Sequence, residues 1–241
     1  MVAALVFICS TFQVISQTPS ITGATTISPS DILWCSTDTL ASTVVCIWPA
    51  PFMLPTLSRG LVLVGVGDFG VGLIGGSGSG WTDVSVVGQA CWTVTPTFRV
   101  GTVGLVGWKG ADGFVGSVES LLNVQARTDI SESWRVGVGV NALLHQSRGK
   151  GLLPRFLTLA VSYSGASAIA LDVQTGSDKA SAILTWAMQL NDVIRGRVAI
   201  CTYPLSLGVT VRLATSRMLP ITVGVDLLMQ LGIRTMMTVE L

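Results

Sequence analysis

The chain has 241 residues, of which 49% are hydrophobic and only 11% charged, less than half the charged share of about 25% in ordinary soluble domains. Its mean hydropathy is +0.66. Fourteen Lys and Arg against thirteen Asp and Glu give a net charge of +1, which leaves no basic footprint for a nucleic acid, and the apolar content excludes a disordered chain.

Residues 1–17 read as an apolar segment with a core from Val2 to Cys9 and small or polar residues around Ser16 and Gln17. That is the pattern of a secretory signal peptide, although no positive charge precedes the core. A bulky Ile8 before Cys9 argues against lipidation.

Residues 18–59 lack clean alternation and carry Pro49, Pro51 and Pro55 within seven positions, which no membrane helix tolerates. Their apolar content argues for a folded plug or end-cap rather than a free tail. Cys35 and Cys46 can pair there in an oxidising compartment, or sit as two small buried side chains.

From residue 60 the period is two. Trp134, Val136, Val138, Val140, Ala142 and Leu144 fall on one face of a strand and Ser133, Arg135, Gly137, Gly139, Asn141, Leu143 and His145 on the other. Leu205–Leu213 and Leu231–Leu241 behave alike. Turn residues punctuate the runs at 75–78, 109–113, 148–151, 176–179 and 191–192. The reading is all-β: an antiparallel transmembrane barrel of about 12–14 strands over 60–241, preceded by the plug or cap. Residues 61–75 decide the count, because bacterial single-chain barrels have even numbers of strands.

The charges of these strands share the face opposite the apolar one. Arg99, Glu119, Arg135, His145, Asp172, Arg195, Arg197, Arg212, Asp226, Arg234 and Glu240 are therefore expected to face the lumen. A lipid-facing Arg near the midplane costs about 2–4 kcal/mol, so a membrane barrel must sort its charges this way. A soluble β-protein shows the same alternation with the faces reversed. Scarce charge, recurrence of the apolar face and the leader favour the membrane. Five of the seven tryptophans (Trp81, Trp92, Trp108, Trp134 and Trp186) fall near strand ends or on apolar faces, where interfacial anchors belong.

Other motifs carry less. No cysteine spacing suits a metal, and no cofactor is expected. His145, the single histidine, with Asn141 suggests a Ser-His-Asn hydrolase, but no serine is identified as nucleophile. Gly65–Gly70 imitates a dinucleotide fingerprint without a βαβ unit, and fits a tight first hairpin better.

Leu157–Tyr163 with Ala170–Val173, Leu184–Leu190 with Ile194–Arg197, and Leu205–Val209, Val225-Asp226 and Leu231–Leu241 resemble the strands of PorV/PorQ-type outer-membrane barrels of Bacteroidota and relatives. These are related to the FadL family of long-chain fatty-acid transporters. Trp48-Pro49-Ala50 stands where that family often has Asn-Pro-Ala in its plug, with Trp replacing the Asn. The resemblance implies a barrel of roughly fourteen strands with an N-terminal hatch in the bacterial outer membrane. It leaves two roles open, passage or acceptance of small hydrophobic molecules and a closed-lumen subunit of a type IX secretion assembly. The expected partners are outer-membrane lipid, a hydrophobic small molecule and protein partners of a membrane complex, with no nucleic acid. A non-enzymatic role is expected.

Overall fold

A computed structural model describes residues 20–26, 37, 43–49, 58–78, 80–113, 116–147, 156–176, 180–203, 205–215, 218–228 and 232–241. These form fourteen strands: β1 (Thr43–Pro49), β2 (Ser58–Val66), β3 (Phe69–Gly78), β4 (Trp81–Thr95), β5 (Phe98–Ala111), β6 (Ser117–Asp129), β7 (Trp134–Ser147), β8 (Phe156–Ser164), β9 (Ser167–Thr175), β10 (Ala180–Gln189), β11 (Ile194–Thr202), β12 (Leu205–Thr215), β13 (Met218–Leu228) and β14 (Gly232–Glu240). Each pairs antiparallel with its neighbours in sequence, and β1 pairs with β14 to close the barrel. No helix among the described residues is long and apolar enough to cross a membrane.

Closure corrects the sequence reading at one place. Residues 43–49 and 58–59, assigned above to a plug, belong to the wall. Trp48 and Pro49 lie on β1 in register with Arg59 and Ser58, so they are no plug motif; Ala50 lies outside the described residues. The physical reason is parity. An up-and-down sheet beginning at β2 has thirteen strands, and its first and last strands run parallel. β1 restores antiparallel closure against β14, with Val44 opposite Glu240 and Cys46 opposite Thr238. Pro49, which has no N–H to give, lies past Ile47, the last residue of β1 in register with β14, so its missing donor removes no bond from that ladder. Residues 61–75 supply parts of two strands, which settles the count at fourteen. The signal peptide, Cys35 and most of the prolines lie outside the described residues.

Two predicted turns also shift. Gly75–Gly78 end β3 rather than turn, and Lys109–Ala111 end β5. The Gly65–Gly70 run does make the first tight hairpin: Gly67, at φ 60°, takes the left-handed conformation that its turn requires. At Asn191 the side-chain oxygen accepts the N–H groups of Val193 and Ile194 at 2.9 and 2.8 Å, the local capture that makes Asn a turn former.

The polarity is inside out. β12 alternates without a break from Leu205 to Val211: Leu205, Leu207, Val209 and Val211 are exposed, while Ser206, Gly208 and Thr210 are buried. The same holds around the barrel, where exposed positions are Val, Leu and Ile, and buried ones are largely Thr, Ser, Asp, Gln and Arg. Only a hydrocarbon exterior makes that arrangement favourable. Aromatic side chains mark both rims of the outer surface. Phe69, Trp92, Trp134 and Tyr163 stand near one end, with Trp134 and Tyr163 edge-to-face at 5.2 Å, and Trp108 and Tyr203 stand near the other. The connections at the first end, 67–68, 96–97, 130–133, 165–166, 190–193 and 216–217, run two to four residues. Those at the second reach eight.

Candidate functional site: the barrel lumen

The inward face is set by the strand period, and three features occupy it. The first is a short inner segment, residues 20–26, folded as two consecutive turns. Gly23 N–H donates to the Ser20 carbonyl at 2.9 Å and Thr26 N–H to the Gly23 carbonyl at 3.2 Å. Gly23, at φ 74°, permits the reversal. Thr25 Oγ1 accepts Ser20 N–H at 2.9 Å, and the Thr22 hydroxyl donates to Ser20 Oγ at 2.9 Å. Ser20, Thr22 and Thr25 are fully buried.

Three charged wall residues grip this segment. Asp172 on β9 accepts the Ser20 hydroxyl at 3.0 Å and the Ile21 N–H at 3.3 Å through Oδ1. Arg127 on β6 donates to the Thr22 carbonyl at 2.9 Å, and Arg197 on β11 to the Thr25 carbonyl at 3.2 Å. Thr37 follows inside the barrel: its hydroxyl donates to the Ile21 carbonyl at 3.1 Å, and its own carbonyl lies 3.3 Å from Cys91 Sγ. Room comes from glycine. A Cβ on Gly137 would lie 3.1 Å from the Ile21 side chain, and one on Gly139 would lie 3.5 Å from it.

The second feature is an apolar strip over β2–β5. Leu61 and Leu63 on β2, Ile74 on β3, Val87 on β4 and Val103 on β5 all point inward and are buried. By register Leu61 opposes Ile74, Leu63 opposes Gly72, Gly72 opposes Val87 and Val87 opposes Leu105, while Val103 stands across from Gln89. The facing wall over β6–β13 is largely polar but carries a buried apolar cluster of its own, Ile183 on β10 with Ala199 and Cys201 on β11.

The third is an axial segregation of charge. Six arginines on inward-facing strand positions (Arg99, Arg127, Arg135, Arg195, Arg197 and Arg212) and two carboxylates, Asp129 and Glu240, lie within three residues of the short-turn end of their strands. Nearer the other end stand Lys109, Asp83, Glu119 and Asp226. Arg212 makes a bidentate pair with Glu240 at 2.6 and 2.7 Å, and Lys109 pairs with Glu119. Arg127 and Arg135 both approach Asp129 Oδ1, at 3.6 and 3.5 Å.

Glu119, Asp172, Arg197, Asp226 and Glu240 are thus buried on the inner face. Arg99, Arg135 and Arg212 are half-buried there, and Arg195 is exposed at the rim. Arg234 is opposite Asp226 in register and His145 opposite Leu121; the structure describes the backbone of both. The backbone joining Asn141 to His145 is not a regular strand. Register shifts between Leu122 and Val124, placing two extra residues of β7 between Asn141 and His145, and Asn141 Nδ2 donates to Thr158 Oγ1 at 3.3 Å.

Arg127, Asp129, Lys109 and Asp83 escaped the sequence reading. On β6 the adjacent Leu121 and Leu122 blur the alternation. Extending the parity of Glu119 past them would have reached Arg127 and Asp129.

Glu240→Gln is expected to lower barrel stability by about 1–3 kcal/mol, the range for a hydrogen bond to a charged group, toward the lower end because Arg212 is partly solvated. The guanidinium unfolding midpoint of the refolded barrel measures it, and combining the change with Arg212→Gln should give less than the sum of the two.

No protein-family model matches the chain, and no curated protein matches it. Solved structures do. The toluene transporter TbuX of Ralstonia pickettii aligns over 95% of this chain and 97% of its own at TM-score 0.62 and 11% identity. The outer membrane protein Omp33 of Acinetobacter baumannii aligns over 83% and 95% at TM-score 0.52 and 8% identity. A FadL homologue of Pseudomonas aeruginosa aligns over 93% and 94% at TM-score 0.48 and 9% identity. The chain has the fold of bacterial outer-membrane β-barrel proteins, and its inside-out polarity is the one that location demands.

Proposed function

We propose that the chain is a non-enzymatic channel of the bacterial outer membrane that accepts small hydrophobic molecules, with residues 20–26 as part of a plug and the short-turn end toward the periplasm, as in other bacterial barrels. The observation that carries the substrate class is the inward strip Leu61, Leu63, Ile74, Val87 and Val103. A lumen carrying only water and ions gains nothing from apolar side chains turned inward, whereas an apolar solute is bound by them. TbuX, described as a toluene transporter, shows that this fold can serve such a molecule; the strip is the argument for this chain.

The test is uptake of N-phenyl-1-naphthylamine by cells carrying the chain in their outer membrane. The unaltered chain should speed the onset of fluorescence. Val87→Asp should slow it by about tenfold, since presenting an unpaired polar group to an apolar ligand costs at least about 1–3 kcal/mol. Equal uptake with and without the chain would remove the hydrophobic-substrate reading.

A second reading is a closed structural subunit of a secretion assembly, as the PorV/PorQ resemblance implies. It is favoured by the inner network in which Asp172, Arg127 and Arg197 are all engaged by the inner segment. Copurification of a stoichiometric partner from solubilised membranes, together with no uptake, supports that reading; a lone monomer counts against it.

A further inference from the structure

Two pairs of arginines oppose one another directly across strands at the short-turn mouth: Arg99 with Arg127 and Arg195 with Arg212. Like charges in direct opposition are unfavourable in a sheet. In each pair the protein satisfies one member. Arg127 reaches the Thr22 carbonyl and Arg212 holds Glu240. Arg99 and Arg195 make no hydrogen bond or ion pair to any described residue, and Arg99 Nε is buried without a partner.

The Arg195 side continues as one cross-strand row. Arg195 opposes Arg212, Arg212 opposes Thr222, and Thr222 opposes Thr238. Thr222 and Thr238 point inward, are fully buried, and their hydroxyl oxygens have no partner among the described residues. Buried hydroxyls are ordinarily satisfied. Strands lie about 4.8 Å apart, so Thr222 is about 10 Å from Arg195 along the row, a span that the arginine side chain and one small ion bridge.

We propose that this row is a binding site for a small inorganic anion, with the Arg195 guanidinium supplying charge and the Thr222 and Thr238 hydroxyls donating hydrogen bonds. On the inward-facing strand positions of this mouth six arginines stand against two carboxylates, Asp129 and Glu240, while Asp68, Glu132 and Asp192 lie exposed in its turns; the inner field therefore favours anions, and Arg99, six strands away around the barrel, extends it to the opposite wall. Glu240, whose carboxylate would otherwise repel an anion, is neutralised by its bidentate pair with Arg212 and does not pair with Arg195. An acidic protein segment would have to enter a lumen already holding residues 20–26, which favours the small ion.

The experiment is arginine modification by phenylglyoxal on the full-length, detergent-folded barrel, mapped by mass spectrometry. It compares inorganic phosphate with gluconate, a bulkier anion, at equal ionic strength. Phosphate at about four times its Kd should slow modification of Arg195 about fivefold by mass action, and the protection should vanish in the Thr222→Val, Thr238→Val variant. Equal rates in the two salts, no reaction at Arg195 at all, or protection that survives loss of both hydroxyls would each overturn the site. The comparison on the unaltered chain is decisive even if the variant does not fold. It is also separate from the hydrophobic-substrate reading: a barrel that takes up the naphthylamine yet shows no phosphate protection loses this site alone.

Discussion

Deleting residues 20–26 is expected to turn a quiet barrel into a conducting one in planar bilayers. Asp172, Arg127 and Arg197 hold this segment. Hydrogen bonds to charged groups contribute about 1.5–3 kcal/mol each. Three such anchors hold the segment by on the order of 5 kcal/mol, which leaves it displaced in only about one molecule in several thousand. Asp172→Ala removes the anchor that captures both Ser20 and Ile21, and should raise the open fraction by about ten- to a hundredfold. Gly137→Phe should act in the same direction by another route, because even a Cβ there meets Ile21 at 3.1 Å, and crowding of this kind costs about 1–3 kcal/mol. A wider deletion misleads. One that reaches Thr43 removes β1 and opens the seam between β14 and β2, so its current would report a broken wall. If the seven-residue deletion folds, as judged by heat-modifiable migration, and stays silent, these residues do not occlude the lumen.

The wall was readable in the sequence because lipid imposes a strict period on it. Along β12, every second residue from Leu205 to Val211 must be apolar, and the sequence states this outright. The inner face obeys no comparable rule. It is assembled from strands far apart in sequence, so that Asp172 meets Ser20 across 152 positions and Arg197 meets Thr25 across 172, and no local pattern announces either contact. β1 was missed for a different reason. Its seven residues, Thr43–Pro49, run straight into a proline-rich stretch, and the prolines that end the strand read as evidence against one. The requirement that an up-and-down barrel close antiparallel is the stronger constraint, and it demands a strand before β2. The inward placement of Leu61 and Leu63 was hidden too, since β2 is apolar on both faces, with Val62 and Val64 turned outward. Alternation has nothing to contrast there, and that is where the proposed apolar strip lies.

Val209→Arg is expected to be the most damaging single change on the outer surface, at about 2–4 kcal/mol, whereas Leu205→Arg on the same strand should cost about 0–1 kcal/mol. Both side chains are exposed, at 42% and 55%. Val209 stands near the middle of β12 and Leu205 at its first position. In water, two exposed valine- or leucine-to-arginine changes would each fall within about 0.5 kcal/mol of neutral. In a bilayer, depth decides. The midplane arginine must drag water or headgroups inward, while the one at the strand end reaches the interface with its own side chain. Equilibrium unfolding from lipid vesicles measures both values. A difference of 2 kcal/mol is roughly thirtyfold in the folding equilibrium, well clear of extrapolation error. Equal costs at Val209 and Leu205 would mean that the exposed valines and leucines of this barrel face water, and the membrane assignment would fall with them.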